Sequence, residues 1–391
     1  MYNNQADIDI KPLVDLIRSN WKYIVLIFIT TQLTILFVGL IDFQNPAYQN
    51  SDFHKYLQMA NTSPSISEDV IRPFVYRIII PFVVGLLPLD VHHSFLLLNN
   101  ISLVFLPVIL FLFLLDHNIS SITSLLFTIC FQLNRYIFQF NAWNYFQVSD
   151  TCSLAILFLS FLLLKRNNWI VLFLLIPLGV LVKEYVLIFI PAGLFILLDS
   201  GADKKNYVRY FVLSILSISI FIIIRKIIIS EGGESLFVQY TTQVIYYSKP
   251  ILLIKRFIIP FTPFGLMPIL FYKDLFSFFR KNKHFLVYAI TVIIISFFGE
   301  PERLMTPLFA VYFLFIADLY QSISIGFKKE YTIYLGILIF IISFIASFYH
   351  IWGIVLLPNK EVSEIFTVCT NLAIVVIFYI LKISKIRLKL S

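Results

Sequence analysis

Between residues 41 and 88 the chain carries its longest polar interruption, and two stretches within it hold side chains able to do chemistry: NSDFHKYLQMA (50–60) and IRPFVYRIIIP (71–81). In the first, Asp52 and Tyr56 are four residues apart. If Ser51 caps a short helix there, both lie on one face. A carboxylate beside a desolvated cleft has a tuned pKa and can take a proton from a hydroxyl as a general base. Asp52 is the first candidate for that role and Asp42 the second; the plain alternative is a helix-start acid on a solvated loop. In the second stretch Pro73 suits the first position of a helix. Arg72 then stands just before the helix and Arg77 one turn inside it. Free N–H groups, a positive helix end and two guanidiniums make a phosphate cradle. Arginines snorkelling to lipid headgroups would look the same in sequence.

Further along, Asp150 opens an expected helix after the aromatic stretch FNAWNYFQ (140–147), either as a helix-start acid or as a second cleft carboxylate. Lys183 and Glu184 interrupt an otherwise apolar stretch, and charges in such places are functional candidates by default. A tight turn with a self-neutralising pair is the competing reading. GEPERLMTP (299–307) places Glu300, Glu302 and Arg303 at a membrane boundary, where Arg303 can meet a phosphate or pair with an acid. Tyr240, Tyr246, Tyr247 and Lys249 fall in the 230–250 loop, as a groove lining or, more commonly, an interfacial aromatic belt. Tyr56, Tyr76, Asp150, Lys183, Glu184 and Glu302 are the expected cleft residues. His54, His92 and His93 lack a recognised metal spacing, and no metal site is expected. Walker A, GxGxxG and GxSxG motifs are absent, which removes support for ATP-driven transport and serine hydrolysis.

The elements that must position these groups are membrane helices. Of 391 residues 59% are hydrophobic and only 13% charged, 42 are Phe, and mean hydropathy is +0.89. So much apolar surface requires lipid as solvent. The apolar runs are continuous, unlike the alternating strands of outer-membrane barrels. The expected fold is all-α and polytopic, a single integral-membrane domain over 1–391 with about 11–13 helices. Candidate spans are 23–41, 94–115, 119–138, 149–164, 169–182, 185–198, 207–229, 251–271, 285–298, 304–320, 331–356 and 363–381. The run 73–89, with Pro81 and Pro88, is expected to stay at one surface as a juxtamembrane or re-entrant helix. The net charge of +8 sits in short loops and at the tail, so the positive-inside rule explains it without nucleic acid. That rule makes 1–22 a cytoplasmic N-terminus and 382–391 a basic cytoplasmic tail. It places 42–72, 139–148, 183–184, 230–250, 299–303 and 357–362 on the outer side; with 73–89 staying there as well, 42–93 becomes a first external loop with short juxtamembrane helices. Cys130, Cys152 and Cys369 are scattered and imply neither disulfides nor a metal site.

In this order the landmarks resemble the GT-C superfamily of polytopic glycosyltransferases. They most resemble bacterial GT-C-like proteins with an acid–x3–Tyr segment (Asp52, Tyr56) and a PF-x-YR-x-x-x-P run (Pro73, Phe74, Tyr76, Arg77, Pro81). A helix-start Asp (Asp150), a KE pair (Lys183, Glu184) and ER-x-x-x-P (Glu302, Arg303, Pro307) follow. The resemblance covers about the first 310 residues as ordered landmarks. It implies sugar transfer from a polyprenyl-phosphate donor to a glycan, lipid or protein acceptor, outside a bacterial inner membrane. It also implies Asp52 as base, with Asp42 next, and Arg72, Arg77 and Arg303 on the donor phosphate. Some GT-C enzymes carry a DxD pair; none is clear here, so a divalent cation is left open as cofactor. An O-antigen-type polymerase is the near alternative, although the 230–250 loop has no arginine. A transporter or flippase of a lipid-linked sugar would show internal repeats and midplane polar groups, and none is seen. If the enzyme reading holds, Asp52, Arg77, Asp150 and Arg303 should converge on one cleft.

Overall fold

A computed structural model describes residues 12–39, 41–45, 52–67, 70–228, 236–246, 249, 252, 257–298, 301–348 and 360–390. Among these residues regular structure is helical throughout, with no strand. After a short α1 (Leu13–Ser19), six helices are long and apolar enough to cross a membrane: Trp21–Val38, Val91–Asp116, Val148–Lys165, Lys204–Ile227, Thr306–Ser324 and Glu364–Lys385. A seventh candidate is the pair Tyr272–Lys281 and Lys283–Phe298, bent by 115°. Ser121–Gln132, Trp169–Val182 and Glu330–Ala346 are apolar but shorter. The chain is therefore a multi-pass integral membrane protein.

Several expected boundaries move, each for a local reason. The span expected at 251–271 is not one helix in its described part. Pro260, Pro263, Gly265 and Pro268 leave only the turns Ile259–Phe261 and Met267–Leu270. The span expected at 119–138 stops at Gln132, because the Asn134 side chain accepts from Ile137 N at 2.6 Å and starts a π-type turn over Arg135–Gln139. Pro73 does not begin a helix: Phe74–Tyr76 is one 3-10 turn ending at Arg77. The following helix, Ile79–Leu86, has 8 residues and is too short to cross. Asp52 sits at the N-cap of Phe53–Thr62, not inside its first turn, and Ser51 lies outside the described residues. The last helix runs on through the expected tail to Leu390, and Lys382 meets Asp274 at 2.5 Å. Residues 1–11 lie outside the described residues.

Local chemistry sets the helix starts. Asp90 accepts from His92 N and His93 N at 3.0 and 3.2 Å to begin Val91–Asp116, and Asp203 accepts from Asn206 N at 2.9 Å to begin Lys204–Ile227. Gly201, at φ +62°, ends Phe189–Ser200 in the left-handed conformation glycine tolerates. Polar side chains then tie helices laterally inside the apolar bundle. Gln132 donates to Thr31 Oγ1 at 2.8 Å, and Ser102 and Thr151 hydroxyls meet at 2.6 Å. Aromatic rings fill the space between: Phe131 stacks on Phe309, and Phe158 packs edge-on to Phe309 and Tyr288.

Val148–Lys165 gives the bundle its two reference ends. Asp150 lies in its first turn and Lys165 in its last, about 22 Å apart at the α-helical rise. A separate aromatic cluster at the Asp150 end pins the polar 52–86 stretch to the helices. Phe53, Tyr56, Ile80 and Val84 pack there against Phe95, Tyr145 and Phe146. Ile79–Leu86 lies so close to Phe53–Thr62 that a Cβ on Gly85 would collide with the Ala60 carbonyl oxygen.

Candidate active site

Seven charged side chains from five remote segments meet at the Asp150 end. Asp52 Oδ1 accepts from Lys55 Nζ at 2.8 Å, while Oδ2 stands 3.8 Å from an Arg303 guanidinium nitrogen. Arg303 Nε donates to Asp150 Oδ2 at 2.9 Å, and its Nη2 donates to Gln147. The other Asp150 oxygen takes Lys183 Nζ at 2.5 Å. Arg77 forks onto Glu184, with Nη2 to Oε1 at 2.9 Å and Nε to Oε2 at 3.4 Å, and its Nη1 donates to Tyr56 Oη at 3.0 Å.

The elements explain the placement. Asp150 enters through the first turn of a helix, where its charge also meets the positive helix end. Lys183 and Glu184 sit where Trp169–Val182 stops and the 3-10 turn Glu184–Ile188 begins. That break is why the two neighbours diverge, Lys183 to Asp150 and Glu184 to Arg77. They are not the self-neutralising pair that the sequence allowed. Arg303 rides on the helical turn Pro301–Leu304. Its carbonyl accepts from Thr306 Oγ1 at 2.8 Å.

Burial is unequal across the network. Lys183 is 1% exposed and Tyr56 0%, whereas the Asp52 and Glu184 side chains are each 27% exposed. Buried charges require partners, which the ion pairs supply. Burial pushes the Tyr56 phenol up, against the pull of Arg77. Burial also acts to raise Glu184, but Arg77 and Lys183 outweigh it and hold the carboxyl at about 2. The Lys183 ammonium is lowered by burial, opposed by Asp150 and reinforced by Arg77 and Arg303. Among the described residues, four cations (Lys55, Arg77, Lys183, Arg303) meet three carboxylates (Asp52, Asp150, Glu184) in this network.

The remaining expected residues fall around this network. Asp42 is exposed and accepts from Gln44 N at 3.0 Å, outside the ion pairs described. Arg72 is exposed and precedes only the turn Phe74–Tyr76, while Arg77 lies just before Ile78, the N-cap of Ile79–Leu86, and not one turn inside a helix, so the expected cradle does not form as drawn. Tyr76 is buried under the Arg225 guanidinium, 4.5 Å from its ring centroid. The Glu302 and Tyr246 side chains, Glu300 and Tyr247 lie outside the described residues. Tyr240 packs on Phe298 at 5.0 Å. His92 Nδ1 meets Tyr145 Oη at 2.8 Å, and His93 pairs with Asp90. Among the described residues no three metal-type side chains come together.

Sequence reasoning missed Lys55, Gln147, Tyr185 and Arg225. Lys55 lies 4.1 Å from the Phe74 ring centroid and Lys183 4.1 Å from that of Tyr185. Among the described residues, Tyr185 Oη, Ser149 Oγ and Asn144 Oδ1 are buried beside the network without hydrogen bonds. Arg225 stacks on Phe221 at 3.6 Å and, among the described residues, pairs with no carboxylate. Its signal was present: Arg225–Lys226 end an apolar helix on the side where positive charge was not expected.

No protein-family model matches the chain, and no curated protein or solved structure matches it.

Proposed function

We propose that this protein is a membrane glycosyltransferase that moves a sugar from a polyprenyl-phosphate donor to a glycan, lipid or protein hydroxyl, with the Asp150 end facing away from the cytoplasm. One observation carries the reading: Asp52, Arg77, Asp150, Lys183, Glu184 and Arg303, singled out separately in the sequence, converge in one ion network. The guanidinium and ammonium groups gathered there suit a lipid-linked phosphate, and stabilising a departing anion is the largest task in such a transfer.

Asp52 is the base in this reading. Asp150 and Glu184 have both carboxylate oxygens hydrogen-bonded to cations, whereas Asp52 gives one oxygen to Lys55 at 2.8 Å and its other has only a loose 3.8 Å contact to Arg303. A donor phosphate entering between Arg303 and Lys55 competes for both cations and releases the carboxylate. Asp52 then takes the acceptor hydroxyl proton, the oxygen attacks the anomeric carbon, and the carbon–phosphate-oxygen bond breaks with its electron pair on the leaving phosphate. Arg303 and Arg225 receive that charge. Arg77 and Lys183 hold the frame, and a divalent cation at the phosphate stays an open addition to this scheme.

The test uses protein in nanodiscs with a panel of polyprenyl-phosphate sugars and candidate acceptors, following released polyprenyl phosphate. Release by wild type but not by folded Asp52→Asn is expected. Equal release by both moves the base to Asp42 or Asp150. Absence of both donor binding and release with every member of the panel overturns the reading in favour of transport.

A further inference from the structure

At the opposite end of Val148–Lys165 lies a cavity of about 740 Å³, framed by the turns after Val91–Asp116, Val148–Lys165 and Phe189–Ser200 and by the start of Lys283–Ile295. Its volume is in the range of small-molecule sites. One wall is positive. Asp116 is gripped by Lys165 at 3.0 Å and Arg166 at 2.6 Å, two cations on one carboxylate. Lys165 also meets His117 Nε2 at 3.0 Å, and burial together with Lys165 holds that imidazole neutral, its pKa lowered to about 3.

The other wall is negative. Asp199 and Asp318 line it, and among the described residues neither forms an ion pair with a lysine or arginine. Between the walls sits His284, 8% exposed, with both ring nitrogens buried and without hydrogen bonds among the described residues. Asp199 stands 3.5 Å from its Nδ1, beyond good hydrogen-bond length. The remaining lining mixes apolar side chains, among them Leu16 and Leu115, with polar ones, among them Asn118, Asn167 and Asn282.

A ligand that satisfies this cavity must carry both signs of charge, because cations and carboxylates line it together. We propose that this cavity binds an aminophospholipid by its headgroup, with the phosphate at Lys165 and Arg166 and the primary ammonium at Asp199 and Asp318. The start of the acyl chains lies along Leu16 and Leu115, which are only half-buried. Basic pockets between membrane helices on the cytoplasmic side are known to take lipid headgroups. The carboxylate wall is what selects a zwitterion over an anionic lipid. This site is independent of the transfer chemistry proposed for the other end.

Native mass spectrometry of the delipidated full-length protein tests it, using phosphatidylethanolamine, phosphatidylcholine and phosphatidylglycerol with matched chains. Retention of phosphatidylethanolamine at least about tenfold above either other lipid is expected, because the choline head donates no hydrogen bond and the glycerol head carries no cation. Asp199→Asn with Asp318→Asn, two side chains that are not buried, should bring the preference below about threefold. Equal retention of the three lipids by wild type, or an undiminished preference in the double variant, overturns the proposal. Displacement of the lipid by soluble phosphoethanolamine at equal concentration overturns its assignment to a lipid.

Discussion

The two ends of Val148–Lys165 handle charge differently. At the Asp150 end, partners come from far apart in the chain: Arg77 reaches Glu184 across 107 residues and Arg303 reaches Asp150 across 153. Every carboxylate there has a cation, and the network is closed around two side chains, Lys183 and Tyr56, that are almost wholly buried. At the Lys165 end one carboxylate holds two cations, while Asp199 and Asp318 face a cavity. The contrast shows two ways a membrane protein can keep ionised groups. One saturates them against each other and fixes geometry; the other leaves walls of opposite sign for something to bridge.

The comparison can be broken or sharpened by substitution. The largest effect is expected for Asp52→Asn, which removes the proposed general base and should lower turnover about 10²–10⁴-fold in the polyprenyl-phosphate release assay, with thermal stability near wild type. Asp150→Asn comes next. It leaves the buried Lys183, and the half-buried Arg303, without their shared counter-ion, so unfolding in detergent should show a loss of about 3–5 kcal/mol. A variant as stable as wild type would mean that the network is hydrated and not closed.

The Arg77–Glu184 pair gives a pH signature. Glu184 titrates at about 2 in the folded protein against an ordinary 4.5, so its stabilisation is complete above about pH 4.5 and disappears as pH falls through about 2. Thermal unfolding followed over that window should show a falling Tm, and Glu184→Gln should flatten the slope. Gly85→Ala forces a Cβ into the Ala60 carbonyl oxygen and should cost about 1–3 kcal/mol, together with faster proteolysis of the 52–86 stretch. The smallest effect is assigned to the Lys165 end. Asp203→Ala removes the cap of Lys204–Ile227 and should cost about 1 kcal/mol while leaving turnover unchanged.

Much of the candidate site was legible because lipid makes charge conspicuous. Asp150, Lys183, Glu184 and Arg303 stand out against apolar neighbours, and desolvation makes each of them demand a partner. Which partner was not legible. Lys183 and Glu184 are adjacent in sequence, yet a helix ends between them and sends them to different acids and bases. Arg72 and Arg77 read as one cradle, but a 3-10 turn leaves one exposed and buries the other. Arg225 was hidden because a basic residue at a helix end also fits snorkelling, and only its stacking on Tyr76 separates the two cases. In the fold, the prolines of 257–271 were visible, but the apolarity of that run outweighed them.

By itself the sequence determined the solvent, the helical class and the separation of polar from apolar stretches, since these follow from composition and from the need of every backbone group in lipid for an internal hydrogen bond. It also singled out most charges of the network. The tertiary structure alone decided that five segments share one end, that each carboxylate there has its particular cation, and that a mixed-sign cavity opens at the other end. Those outcomes depend on which helices pack side by side and where they break, through contacts between residues a hundred or more positions apart. No local pattern encodes such distances.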